Sequence, residues 1–165
     1  MKRTIDEPFY QLSEAQILTL CCYLEARNQS EEGQIAVMQV IANRVKRGGW
    51  FMDSSLKRVG LSPWHCVVLK NALVGCKIKG MPCSKYVYQF SCFQEGDPNR
   101  AKGLKQCNNY TLDTSLAEKV IAGELEDTSK GALYYYAPQV CSPAWAKSMT
   151  ETAVIGDHRF MKENQ

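Results

Sequence analysis

Apolar residues recur along this chain first at helical and then at strand spacing. Ser13-Glu14-Ala15-Gln16 reads as a capping box, and Ile17, Leu20, Cys21 and Leu24 follow it at i, i+3, i+4 and i+7. This predicts an amphipathic helix of about three turns. Asn28 to Ser30 interrupts the stripe, Ser30 can cap again, and Ile35, Met38, Ile41, Ala42 and Val45 give a second helix ended by Gly48-Gly49. Ser62-Pro63 is a cap followed by proline, so Trp64, Val67, Val68, Asn71 and Ala72 predict a third helix closing at Gly75, with turn chemistry in Lys79-Gly80-Met81-Pro82. Tyr86 to Phe90 is β-prone and Gln94 to Asn99 reads as a polar loop. A helix carrying Leu116, Val120 and Ile121 begins at Asp113 or Thr114. Ala132 to Tyr136 is a strand stopped by Pro138, Trp145 sits in a short segment after Pro143, and Ala153 to Phe160 reads as strand, turn, strand. The expected fold class is therefore α+β, a mainly helical lobe with a small sheet.

Length and charge narrow the function. With 165 residues the chain fits one domain and one cleft, here placed at 13–165 behind an N-terminal extension at 1–12. A formal net charge of +3 suits an anionic polymer, but no Lys/Arg run or basic and aromatic stripe points to nucleic acid. The start, Met1 to Pro8, turns acidic and Pro-broken rather than apolar, so no export signal is expected. The run Ala15 to Leu24 is shorter than the roughly 20 residues of a membrane span, so stable membrane insertion is not expected either. Eight cysteines without a CxxC pair read as reduced thiols used as small hydrophobes.

Glu25 is the residue whose placement suggests chemistry. It falls near the end of the first helix, one turn from Cys21 and Cys22 and about a right angle from the apolar stripe. Partial desolvation and the negative end of the helix dipole would both hold its carboxyl protonated, as a general acid for a glycosidic oxygen requires. The plain alternative is a surface ion pair with Arg27, Arg44 or Lys46.

The context of Glu25 carries a resemblance. Tyr23-Leu24-Glu25-Ala26-Arg27 through Val37, followed by Val40-Ile41-Ala42-Asn43-Arg44-Val45, resembles the N-terminal motif of the SleB-like cell-wall hydrolases, the spore cortex-lytic enzymes and their bacterial and phage relatives. Gln89-Phe90-Ser91-Cys92, Gly131 to Tyr136 and Ile155 to Phe160 follow in the family's order. The resemblance implies a lysozyme-like fold, a peptidoglycan glycan strand as partner, cleavage between N-acetylmuramic acid and N-acetylglucosamine, and Glu25 as the catalytic acid. It implies no cofactor and no metal. The spore enzymes act as lytic transglycosylases, and this implies one Glu serving as acid and then base while a sugar hydroxyl attacks. A monomer is expected, made in the cytoplasm as a phage endolysin would be.

Around Glu25, Phe90 and Ser91 match a block expected to line the groove. Tyr134 and Tyr136 share one face of their strand, with Tyr135 on the other, and Trp145 is a candidate sugar platform. Glu32 and His158 are expected as supporting residues, His158 holding the terminal strand. A hydrolytic muramidase would need a second carboxylate roughly 5–9 Å away, with Glu31, Glu32, Glu95 and Asp97 as candidates. Three rivals stay open: a cysteine peptidase with His158 as base, a zinc-stabilised module using His65 and Cys66, and a cell-wall binder without activity.

Overall fold

Capping chemistry sets the helical lobe. In the computed structural model, which describes residues 1–164, Ser13 Oγ accepts from Gln16 N while Gln16 Oε1 accepts from Ser13 N, and helix α2 runs Glu14–Ala26. Ser30 accepts from Gly33 N to start α3, Glu31–Arg47, and Ser62 accepts from His65 N to start α5, Pro63–Val68. Helix α2 is buried on nearly every side: Ile17, Leu18, Leu20 and Cys21 have no exposure, and α3, α5, α6 (Pro98–Asn108) and α7 (Ser115–Ile121) all pack on it. Short helices α1 (Glu7–Tyr10) and α4 (Ser54–Arg58) complete the lobe.

From the N-terminal segment Phe9, Tyr10 and Leu12 join this core, and Asp6 is buried with them. Phe9 has no exposure and meets the Phe93 ring edge-on at 5.2 Å. Asp6, also fully buried, accepts from Arg100 Nη2 at 2.8 Å and from Tyr88 Oη at 2.6 Å. Truncating a buried phenylalanine such as Phe9 costs about 3–5 kcal/mol, so removal of this segment would unmake the lobe. The polar stretch after Gln94 also holds more order than its composition suggested. Asp97 caps α6, and Gly103 lets that helix approach α2, since a Cβ there would lie 3.2 Å from Phe9 and 3.3 Å from Leu24.

The third helix ends early. Helix α5 stops at Val68, and Asn71, Ala72 and Gly75, expected within it, belong instead to β1 (Asn71–Ile78), paired antiparallel with β2 (Met81–Tyr88). Lys79 and Gly80, with φ of 51° and 79°, form the two-residue turn whose twist suits a hairpin. Cys76 and Cys83 face each other in this register and form a disulfide, correcting the expectation of thiols throughout; the other six cysteines are free.

The C-terminal sheet has the order β3-β5-β4, all antiparallel, from β3 (Tyr134–Tyr136), β4 (Met149–Ile155) and β5 (His158–Glu163). Side chains of α3 set its position. Asn43 Nδ2 donates to Ala132 O at 3.0 Å and Arg44 Nε to Leu133 O at 2.8 Å, which lays β3 beside the end of α2.

Candidate active site

Glu25 occupies the last turn of α2, half-buried, where that helix, the turn Ser91–Phe93 and strand β3 converge. Its Oε2 accepts from Tyr135 Oη at 3.1 Å, and the buried Cys92 thiol lies near enough to favour the ionised form of the same carboxyl. Burial raises the Glu25 pKa above its ordinary value, and nearby Asp97 adds to this. The Cys92 thiol, the hydrogen bond from Tyr135 and the charge of Arg44 pull the other way without cancelling the effect. Burial, then the Glu25 charge, also hold the Tyr135 pKa well above its ordinary value, so Tyr135 stays a donor.

The cations named as surface partners do not neutralise Glu25. Arg27 Nη1 donates to Leu24 O at 3.2 Å and to Asn99 Oδ1 at 3.0 Å, closing the exposed end of α2. Arg44 is committed to Leu133 O. Among the described residues no ion pair includes Glu25.

A cavity of about 480 Å³ opens over this carboxyl, lined by Glu25, Asn28, Gln29, Ser91, Tyr135, Tyr136, Trp145, Asp157, His158 and the loop 137–143. One wall is fixed by a specific latch. Gly156, at φ 57°, and Asp157 turn β4 into β5, Asp157 N donates to Gln29 Oε1 at 3.2 Å, and Gln29 Nε2 donates to Asp157 Oδ2 at 2.9 Å. The positive φ favours glycine here, and a Cβ on Gly156 would sit 2.6 Å from Gln29 Oε1, so any side chain would push the Gln29 amide out of the latch. The aromatic wall is Tyr136 against Trp145, ring centroids 5.6 Å apart and edge-on.

The structure divides the residues singled out from sequence. Glu25, Ser91, Tyr136, Trp145 and His158 share the cavity. Phe90 does not line it: its ring is in the core, 3% exposed, beneath the Arg44 guanidinium at 5.1 Å. Tyr134 faces a neighbouring cavity with Arg44 and Trp50. Glu32 is exposed in the first turn of α3, away from the cavity lining. His158 is 7% exposed and meets Tyr135 edge-on at 5.2 Å, and burial lowers its pKa, so it packs the tyrosine while touching the cavity.

Of the candidate second carboxylates, Glu95 pairs with Arg3 and Asp97 accepts from Asn99 N at the start of α6. The carboxylate that does share the cavity is Asp157, which sequence reasoning passed over because Gly-Asp between two strands is ordinary turn chemistry. Tyr135 was missed for a related reason: alternation assigned it to the opposite face from Tyr134 and Tyr136 but gave no sign that its hydroxyl reaches Glu25.

A helical lobe carrying a protonatable carboxyl at a helix end, beside an open aromatic cleft and a small antiparallel sheet, defines an α+β domain of lysozyme-like class. Comparison with known proteins agrees. The family model described as Cell Wall Hydrolase matches residues 28–161, and the chain belongs to that family. Its matched span begins just after Glu25. Among solved structures, the catalytic domain of the germination-specific lytic transglycosylase SleB from Bacillus anthracis superposes with a TM-score of 0.55 at 20% identity, covering 92% of this chain and 98% of that one. At that identity the likeness is one of fold. No curated protein sequence matches.

Proposed function

We propose that this cell wall hydrolase cleaves the glycan strand of peptidoglycan between N-acetylmuramic acid and N-acetylglucosamine, with Glu25 moving the protons. The observation that carries the reading is the state of Glu25: a carboxyl with a raised pKa, in no ion pair among the described residues, hydrogen-bonded by Tyr135 at an open aromatic cleft. In its protonated form it donates to the leaving glycosidic oxygen. Once ionised, it takes the proton of the sugar hydroxyl that attacks the anomeric carbon, closing an anhydro ring and regenerating the acid. Tyr135 stabilises the ionised intermediate form, while Tyr136 and Trp145 offer ring faces and edges to the sugars. The fold likeness to a domain named as a lytic transglycosylase supports this route.

A hydrolytic variant has one observation in its favour, the presence of Asp157 in the same cavity. Its carboxylate is held by Gln29, which suits a structural latch better than activation of a water. A cysteine nucleophile has a weaker claim: Cys141 and His158 both line the cavity, but His158 is buried against Tyr135. Both nitrogens of His65 are engaged, by Ser62 Oγ at 2.6 Å and Leu12 O at 2.8 Å, so the suggested zinc ligand serves the core.

The decisive substitution is Glu25→Gln, which keeps shape and removes the transferable proton. Clearing of a cell-wall suspension should fall by roughly 10²–10⁴-fold, while alkylation of the native chain with iodoacetamide leaves most activity. The opposite pattern, an active Glu25→Gln variant and an alkylation-sensitive native chain, would replace this reading with the peptidase.

A further inference from the structure

A second cavity, of about 500 Å³, adjoins the first and shares Tyr135 and Trp145 with it. Its far wall is the β1–β2 hairpin, through Ala72, Val74 and Val87, and Arg44, Trp50, Lys70 and Tyr134 face it as well. The proton-transfer steps at Glu25 make no use of these groups.

Arg44 is the unusual member. It is 8% exposed, its Nε is satisfied by Leu133 O, and three aromatic rings pack around its guanidinium, those of Phe51, Phe90 and Tyr134 at 5.2, 5.1 and 5.6 Å. Among the described residues it has no carboxylate partner, and its terminal nitrogens have no protein acceptor although they are not sealed from the cavity. A buried guanidinium left in this condition is ready for an anion, and its fork matches a carboxylate. Lys70 lies at the rim with its ammonium 3.8 Å from the Trp50 ring centroid, and Trp50 is 71% exposed. The hairpin itself, residues 71–88, holds Lys77, Lys79 and Lys85 and no Asp or Glu, a charge of +3 that equals the formal net charge of the whole chain. These three lysines stand outside the cavity lining, to which the hairpin gives the apolar Ala72, Val74 and Val87, so the cations that face the space are Arg44 and Lys70, beside the exposed Trp50 indole, in a cavity that adjoins the Glu25 cleft through Tyr135 and Trp145.

We infer that this cavity binds a carboxylate-bearing sugar unit of the strand, with Arg44 and Lys70 holding the carboxylate and Trp50 and Tyr134 contacting the ring. The inference rests on the glycan-cleavage reading for the identity of the strand. In peptidoglycan the carboxylate has two sources, the lactyl group of a muramic acid without its peptide and the acidic groups of an attached stem peptide, and both present the same chemistry to Arg44.

Binding to Glu25→Gln protein, which leaves ligand intact, separates these sources. Three probes of equal length are titrated calorimetrically: glycan strands stripped of peptide, strands bearing stems, and neutral N-acetylglucosamine oligomers. At least one acidic probe should bind about tenfold tighter than the neutral one. The stripped strand leading identifies the lactyl group, and the stem-bearing strand leading identifies the peptide. Lys70→Ala and Arg44→Met should erase most of that preference, whereas Trp50→Ala weakens all three probes alike by about tenfold. Lys70 and Trp50 lie at the surface, so their variants decide the matter even if Arg44→Met fails to fold. Equal affinity for acidic and neutral probes, or a preference that survives Lys70→Ala, overturns the inference. Cleavage by the native chain is scored separately. Cleavage without acidic preference removes this inference alone, and absence of cleavage removes the earlier reading.

Discussion

The two cavities that meet at Tyr135 are complementary in what each lacks. One is built around a carboxyl without a cation, the other around a guanidinium without a carboxylate, and Glu25 and Arg44 feel each other's charge without forming an ion pair. Closed into an ion pair, they would give a stable buried contact and a carboxylate with a depressed pKa, unable to donate a proton near neutrality. Held apart, with Tyr135 lining both spaces, each keeps a free valence for a ligand. The fold maintains the separation by committing Arg44 Nε to the backbone of β3 and surrounding its guanidinium with aromatic rings. A charged residue that could have stabilised the acid is thereby used to place the strand that serves it.

The sharpest way to disturb this balance, short of removing Glu25, is Tyr135→Phe. It deletes the one hydroxyl donor to Glu25 and should lower kcat by about tenfold to a hundredfold with little change in KM. The pH profile moves as well. Glu25 must be protonated to act as acid, so activity falls as pH rises through its raised pKa, and loss of a bond that favours the ionised form shifts that falling limb upward. An unmoved limb in Tyr135→Phe would mean that the hydroxyl does not govern the carboxyl.

Asp157→Asn is the next smaller effect. If the carboxylate only latches Gln29, activity should drop by less than about threefold, against the roughly 10²–10⁴-fold expected of a group that transfers a proton. A loss in the larger range would make Asp157 the second carboxylate of a hydrolytic muramidase.

A stability measurement gives the smallest signal and an independent one. In the unfolded chain Glu25 releases its proton near its ordinary value of 4.5, whereas in the folded chain it holds it to higher pH. Its contribution to stability is therefore present below the unfolded value and lost as pH rises through the raised folded one. Above the raised folded pKa the ionised, desolvated carboxylate is a liability, so Glu25→Gln should raise Tm there by calorimetry, an advantage that disappears below the unfolded value. A lowered Tm above the folded pKa would show that Glu25 is paired after all.

Legibility in the sequence followed the range of the interactions involved. Ser13, Ser30 and Ser62 announce their helices because a cap is satisfied within three residues, and the C-terminal strand, turn and strand were equally local. In the hairpin the turn at Lys79–Gly80 and the β-prone Tyr86–Tyr88 were legible, but the first strand reads as a continuation of α5 because it is largely exposed on both faces, with Leu73 at 51% and Val74 at 42%, and lacks the alternation of a half-buried strand. Helix α6 was hidden because it buries only Arg100 and Gly103, an ion-pair partner and a point of close approach, in place of an apolar stripe. In the site, Glu25 was found through its motif. Tyr135, Cys92 and Asp157 reach it or its cavity from far along the chain, Tyr135 from 110 positions away, contacts that no local pattern encodes.

The central claim is that Glu25 performs both proton transfers and that water is not the nucleophile. Mass spectrometry of muropeptides released from purified peptidoglycan by the native chain tests it directly. The account predicts anhydromuramic ends, lighter by one water than the hydrolysed product. Reducing muramic ends would contradict it and pass the second role to Asp157.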